Sequence, residues 1–316
     1  MVNTHTLIFQ PGLVVDEEFF NYEVMQSSAK NWLFFTKYRF GTGEFYGHHS
    51  GVQLDSLQFG HAQRHEGMMY EGVSPKDCIT IALLEKNAGY VCVNQIKMKI
   101  GDIVIIDDKR AYDFVSSDHT LMSVISISKS LLEEKAPWIL SLVDKKFTDS
   151  NNVLSETITS LWDSVLALPS LVESSKNRQE MEGKIIDTLI DVLNGQIGYN
   201  ANLTEGEKVA FEIKSCLLDS LEDVRSIQEI AEKFKISDKT IESSFKTLFG
   251  ITPKRFIKFL KLNHAHVDLQ EADVDNTNVS EVAIKWGFSH FGRFSGEYKS
   301  LFGVHPSTTL NQEPRS

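Results

Sequence analysis

Through the first 130 residues, short apolar runs alternate with turn residues, the pattern of a strand-rich domain. Residues 32–40, which run from Trp32 to Phe40 with five aromatic residues, are β-prone and end in Gly41-Thr42-Gly43. Residues 78–84, 90–93 and 103–108 are further short apolar runs, set off by Gly89 and Gly101. Residues 121–127 alternate with period two, as a half-buried strand does. Many short strands with regular turns predict a β-sandwich or small barrel over residues 1–130.

Beyond residue 130 the period becomes helical. Ile158, Leu161, Trp162, Val165 and Leu166 form one stripe, and Ile185, Ile186, Leu189, Val192 and Leu193 form a second. Pro169 separates the two helices and Gly195 stops the second, so residues 131–195 read as a helical segment. Residues 196–206 have no apolar period and read as a linker. Residues 207–312 are helical in pattern throughout, and the whole chain is predicted to be α+β.

The last third contains a repeat. Glu229-Ile230-Ala231-Glu232-Lys233-Phe234-Lys235-Ile236-Ser237 matches Glu281-Val282-Ala283-Ile284-Lys285-Trp286-Gly287-Phe288-Ser289 at an offset of 52. Phe245-Lys246-Thr247-Leu248-Phe249-Gly250 matches Tyr298-Lys299-Ser300-Leu301-Phe302-Gly303 at an offset of 53, with Pro253 and Pro306 following. Each copy has the plan of a helix-turn-helix, over residues 227–249 and 279–302. A small residue, Ala231 or Ala283, allows close helix crossing, and Ser237 or Ser289 is placed to cap the second helix. That second helix buries Ile241, Phe245 and Leu248 in one copy and Phe294, Tyr298 and Leu301 in the other. Its opposite face stays free, as a helix that enters a DNA major groove requires. Phe256, Phe259, Leu262, Ala265 and Leu269 mark a long connecting helix.

On these motifs, residues 211–310 resemble the tandem helix-turn-helix domain of the AraC/XylS family of bacterial transcription regulators. The resemblance implies two recognition helices set about one turn of DNA apart. It also implies an N-terminal cupin-like barrel that senses a small molecule, and helices beside it that pair two subunits. Double-stranded promoter DNA, a small-molecule effector, a second copy of the chain and RNA polymerase are then the expected partners, usually for activation. The candidate base readers are the exposed early positions of each second helix. They are Asp238, Lys239, Glu242 and Ser243 with Lys246 in the first copy, and His290, Gly292, Arg293 and Gly296 with Lys299 in the second. Gly292 and Gly296 leave the second helix few groups to read with, and Lys261, His264 and His266 stand where family members are often arginine-rich. The isolated domain is therefore expected to bind weakly and to need dimerisation.

Charge sharpens this picture. The formal net charge of −11 over 316 residues excludes indiscriminate coating of nucleic acid. Residues 205–316 carry 15 Lys and Arg against 17 Asp and Glu, which leaves −9 on the first 204 residues. Within residues 233–261, eight basic residues face only Asp238 and Glu242, a local excess of +6 where phosphates are expected. No apolar run approaches the roughly 18–20 residues of a membrane helix. The start Met1-Val2-Asn3-Thr4-His5 lacks the order of a signal peptide, so a cytoplasmic location is expected. The three cysteines are too few and too scattered for a disulfide framework or a CxxC motif.

In the N-terminal region, residues 41–47 and 54–58 resemble the sensor half of the ethanolamine-utilisation regulators. Gln58, His61, Gln63, Arg64 and His65 are candidate effector contacts, with Trp32, Phe34 and Tyr38 as aromatic walls; Arg64 would suit an anionic ligand. His48-His49, His61, His65, Glu66 and His119 hold the residue types of a cupin metal site but not the Gly-x-x-x-x-His-x-His order, so neither metal nor cofactor is expected. Asp102, Asp107, Asp108 and Asp113 read as a solvated acidic cluster at a turn, and no catalytic residue is identified. Two alternatives remain open: a cupin-type metalloenzyme fused to a DNA-binding module, and a dimeric regulator that needs no ligand.

Overall fold

The computed structural model describes residues 10–22, 24–25, 33–41, 45–196, 198, 204–219, 221 and 227–311, with residues 33–37 through their backbone alone. Trp32 and most of the expected linker lie outside the described residues. The strands are β1 (Val14–Phe19), β2 (Leu33–Arg39), β3 (Gly47–Gln53), β4 (Leu57–Arg64), β5 (Met68–Val73) and β6 (Cys78–Lys86). They continue with β7 (Val91–Val93), β8 (Ile96–Met98), β9 (Asp102–Asp107), β10 (Tyr112–Ser116), β11 (Thr120–Ser128) and β12 (Lys146–Thr148). The helices are α1 (Lys129–Lys135), α2 (Val153–Ala167), α3 (Ser175–Leu193), α4 (Glu205–Asp219) and α5 (Ile227–Phe234). They end with α6 (Asp238–Phe249), α7 (Pro253–Glu271), α8 (Val279–Lys285), α9 (Phe291–Phe302) and α10 (Pro306–Leu310). Among the described residues no helix is long and apolar enough to cross a membrane.

The strands form two antiparallel sheets, ordered β1-β3-β4-β11-β6-β9-β12 and β2-β5-β10-β7-β8. Face to face, they make a cupin-like double-sheet domain. On β6, β9 and β11 successive side chains go to opposite sides. Ile79, Ile81, Ile103, Ile105, Ile125 and Ile127 meet Ile158, Trp162, Ile185 and Leu189 of α2 and α3. Ala82, Leu84, Val104, Ile106 and Met122 meet Val91, Val93, Tyr112 and Phe114 of the other sheet. Burial on both sides is why Ile103-Val104-Ile105-Ile106 shows no alternation. Each such side chain contributes about 1.5–3 kcal/mol on leaving water.

The fold departs from the sequence pattern in four places. Residues 146–148 fall in the expected helical segment yet form β12 on β9. Three residues are too few to show a period, and tertiary contacts decide them. Phe147 is buried, while Asp102 accepts from Lys146 Nζ at 2.9 Å and Thr148 Oγ1 at 3.0 Å. The four acids expected to share a solvated turn are separately engaged: Asp102 is buried with those partners, Asp107 accepts from the Lys109 amide, Asp108 pairs with Lys129, and Asp113 with Lys214. The apolar stripe of α3, including Met181, Ile185, Ile186 and Leu189, is buried in the chain's own core. On the outer surface of residues 131–195, Leu166 and Leu168 are exposed. Strands β3 and β4 carry no apolar run because Gly51 and Gly60 sit opposite each other and His and Gln fill much of the rest. The chains approach so closely there that a Cβ on Gly60 would lie 1.9 Å from the Ser50 carbonyl oxygen.

The outer face of the five-stranded sheet is also covered. Tyr38, Met69, Cys92 and Val115 share one core with Phe211, Phe245, Phe249, Phe256 and Phe259 of the C-terminal helices. Strand β2 is an edge strand, and α7 closes it. The Asn263 side chain accepts from the Arg39 amide at 2.9 Å and donates to the Arg39 carbonyl at 3.1 Å, so one side chain replaces a neighbouring strand. Phe40 packs on Phe256 and Phe259 beside it, with ring centroids 5.1 and 5.9 Å away.

Two outcomes follow. Gly60→Ala should destabilise the chain by about 3 kcal/mol in urea unfolding, because backbone must move; a loss below about 1 kcal/mol would show that β3 and β4 are not so close. Asn263→Ala should cost about 1–3 kcal/mol and leave the Arg39 amide exchanging with solvent like that of a free edge strand; unchanged protection there would remove the clasp.

Candidate nucleic-acid interface and ligand cavity

The two helix-turn-helix copies share their turn geometry down to single hydrogen bonds. The Ile236 amide donates to the Ala231 carbonyl at 3.1 Å, and the Phe288 amide to the Ala283 carbonyl at 2.9 Å. The residue before each donor takes positive φ, Lys235 at 53° and Gly287 at 79°, which is the Schellman ending that lets a short helix stop and turn. Ala231 and Ala283 are buried where the second helix crosses. Both second helices hold 12 residues and end at a glycine with positive φ, Gly250 and Gly303. The copies differ at the start. Ser237 caps α6 through the Thr240 amide, but Ser289 does not cap α9: the one-residue insertion moves that role to His290, which makes no side-chain cap bond.

The expected base readers all lie at the surface. Asp238, Lys239, Glu242, Ser243 and Lys246 are exposed on α6; His290, Gly292, Arg293, Gly296 and Lys299 are exposed on or before α9. The buried sides of the same helices carry Ile241, Phe245 and Leu248, and Phe294, Tyr298 and Leu301. Arg293 does not hang free, because its Nε donates to Glu297 Oε1 at 3.0 Å, and Lys258 Nζ donates to the same oxygen at 2.9 Å. Burial pushes the Glu297 carboxyl up, but these two cations outweigh it and hold the group below its ordinary value. Sequence reasoning passed over Glu297, although its i,i+4 spacing from Arg293 was readable. Lys246 likewise pairs with Glu242 at 2.7 Å.

Helix α7 joins the copies. Thr252 caps it, Pro253 starts it, and its 19 residues span about 28 Å. Its histidines pack inward rather than reaching out: His264 stacks on Trp286 at 4.7 Å, and His266 bonds the Tyr298 hydroxyl at 2.6 Å and stacks on Phe302 at 4.1 Å. Lys233, Lys235, Lys239, Lys246, Lys254 and Arg255 are exposed, so the local positive excess lies at the surface.

Between the two sheets lies a cavity of about 390 Å³, within the size range of small-molecule sites. Strand register decides which residues face it. Gln58, Gly60, Ala62 and Arg64 of β4 stand opposite Ser126, Val124, Met122 and Thr120 of β11, on the inner side. His61 and Gln63 stand opposite Ser123 and Leu121, on the other. Gln58 lines the cavity. His61 borders it, with its ring 3.4 Å from Ser50 Oγ, and burial lowers its pKa despite Glu85. Arg64 is fully buried among Tyr22, Tyr70 and Tyr112, donates to the Gln63 carbonyl at 2.8 Å, and does not line the cavity. His65 packs on Tyr46 and His119 elsewhere, and Tyr38 faces the C-terminal helices. His49, named above only among metal-site residue types, also lines the cavity, as do Gln53, Tyr70, Tyr112 and Phe114, which sequence reasoning did not single out. A period-two count along β3, β5 and β10 was the available signal. His49 is held neutral, because burial first, then Arg64 and His48, push it far below the usual imidazole range. His48, its neighbour, faces away and bonds Asp16 at 2.7 Å. Among the described residues, no group of three or more His, Cys, Asp or Glu is placed to hold a metal ion.

Comparison with known proteins agrees with the repeat. Residues 230–312 match the family described as a helix-turn-helix domain. A probable thc operon regulatory protein of Rhodococcus erythropolis is 35% identical over 120 residues, 37% of this chain and 36% of that protein. A XylDLEGF operon transcriptional activator of Pseudomonas putida is 24% identical over 217 residues, 67% of this chain and 65% of that one. The chain thus matches between about a third and two thirds of the length of these curated relatives. Among solved structures, the AraC-like transcriptional activator CuxR is 13% identical, with 80% of this chain and 96% of that one covered, at a TM-score of 0.45. With the same turn, terminal glycine and buried stripe in both copies, residues 230–312 form a helix-turn-helix domain of the AraC/XylS type, similar to that of the xyl operon activators.

Proposed function

We propose that the chain is a sequence-specific DNA-binding regulator of transcription, an activator, whose grip on a promoter is set by a small molecule in the N-terminal cavity. The observation that carries this reading is the pair of matched helices, α6 and α9, each buried on one side and polar and exposed on the other. A helix of that kind fills a major groove with its polar face while its apolar back stays in the core. The protein works as a homodimer in the cytoplasm, where it meets promoter DNA and RNA polymerase. Two copies bring four recognition helices to one site, which offsets the sparse chemistry of α9.

The shared sheet supplies the coupling. Tyr70, Tyr112 and Phe114 line the cavity, while Met69 and Val115, their immediate chain neighbours, lie in the core with α6 and α7. A ligand that favours one setting of β5 and β10 therefore favours one seating of the helices behind them. The histidines of this region point to both sides of the sheet, so they support a binding cavity rather than the metalloenzyme alternative.

Arg293→Ala should weaken binding to the cognate site, obtained by in-vitro selection, by about tenfold to a hundredfold, and binding to random DNA by less than about twofold. Lys254→Ala, on the phosphate-facing surface, should weaken both alike and reduce the salt slope by about one. Fluorescence anisotropy of labelled duplexes measures both, and an equal loss on the two DNAs for Arg293→Ala would end its role as a reader.

A further inference from the structure

A long side chain reads a base only if something restricts its rotamers, since their freedom is lost on binding. The Arg293 side chain is 73% exposed on α9. Gly292 and Gly296, exposed on the same helix, have open space where a Cβ would stand, so they supply no wall to hold it.

Glu297, one turn further along α9, supplies the hold. Its side chain is only 22% exposed, and a single oxygen, Oε1, accepts from Arg293 Nε at 3.0 Å and from Lys258 Nζ at 2.9 Å. An isolated i,i+4 ion pair between exposed groups restrains little. This carboxylate differs, because Lys258 belongs to α7 and tethers it from a second helix.

The choice of Arg293 nitrogen matters. With Nε given to Glu297, the guanidinium keeps Nη1 and Nη2 at its far end, a planar fork that matches O6 and N7 of guanine. A carboxylate beside the guanidinium also repels DNA phosphates, and it offsets one of the two cations it binds.

We propose that Glu297, anchored by Lys258, is the positioning residue that presents the Nη1–Nη2 edge of Arg293 to a guanine and keeps it off the phosphate backbone. This rests on the reading of Arg293 as a base reader. It adds the base that Arg293 selects and the residue that makes it selective.

Fluorescence anisotropy of the full chain tests this on three kinds of duplex: the selected cognate site, the same site with each G·C pair exchanged in turn, and random DNA. Exchange of one guanine should weaken the unaltered chain about tenfold and Arg293→Ala less than twofold. Glu297→Gln should cut discrimination at that guanine to about threefold or less. It should also tighten binding to random DNA about twofold and steepen the salt slope by about one, as the freed cations turn to phosphates. Lys258→Met should lose the same discrimination without tighter binding to random DNA, because it removes a cation. In the Arg293→Ala background, Glu297→Gln should alter discrimination no further.

A merely structural Glu297 would weaken all the duplexes alike and leave the salt slope unchanged, and that result would overturn the proposal. So would full discrimination in Glu297→Gln, or in Lys258→Met should the first variant not fold. Loss of selectivity in Arg293→Ala alone would defeat this proposal and spare the reading beneath it. An equal loss on cognate and random DNA for Arg293→Ala would defeat both.

Discussion

Because β5 and β10 are covered on both faces, a side chain that turns toward the cavity has a chain neighbour that turns toward the C-terminal helices. Tyr70 sits beside Met69, and Phe114 beside Val115. In most antiparallel domains the second face meets water and can move without consequence. Here it is the floor on which α6 and α7 rest, and Asn263 locks the sheet's edge to α7 through two hydrogen bonds to Arg39. The wall of the cavity and the floor beneath the helices are thus formed by adjacent residues of the same two strands.

The helical domain shows the same economy at its turns. Both copies stop the first helix with a residue in the left-handed region, where glycine is at ease and other residues pay about 1–2 kcal/mol. Gly287 meets that need without strain, whereas Lys235 holds the conformation as a lysine. The packing of Ala231 and of Ile230 in the common core keeps it there. Helix α7 then spaces the two units, while His264 and His266 fasten the second copy to it through Trp286, Tyr298 and Phe302. Residues expected to be surface substitutes for arginines serve as internal struts.

Much of this was legible along the chain. The repeat, the buried stripe of each second helix and the exposed early positions follow from periodicity, because a helix with one packed face leaves a regular trace. Strand β11 was legible from its alternation, and β6 and β9 as short apolar runs buried on both sides. Strands β3 and β4 were not, since Gly51, Gly60 and several polar residues replace the apolar run. β12 was not, because three residues carry no period. Ser289 as a cap failed because a single inserted residue shifts a helix start without disturbing the motif around it. Within the cavity, Gln58 was identified, but His65 and Tyr38 lie elsewhere: adjacent residues of a strand face opposite ways, and composition cannot tell which way is inward.

By itself, the sequence determined the kinds of element and the presence of two copied helix-turn-helix units, properties that depend on residues a few positions apart. It also determined that positive charge gathers on residues 233–261 within an acidic chain. Tertiary structure alone decided that the sensor sheet and the helical domain share a core, that the stripe of α3 is used within its own chain, and that Gln53 meets Gln58 at a cavity wall. Each of these joins parts distant in the chain or sets the register between strands, and neither leaves a period to read. The physical reason is that local pattern records which face of an element is buried, but not what buries it.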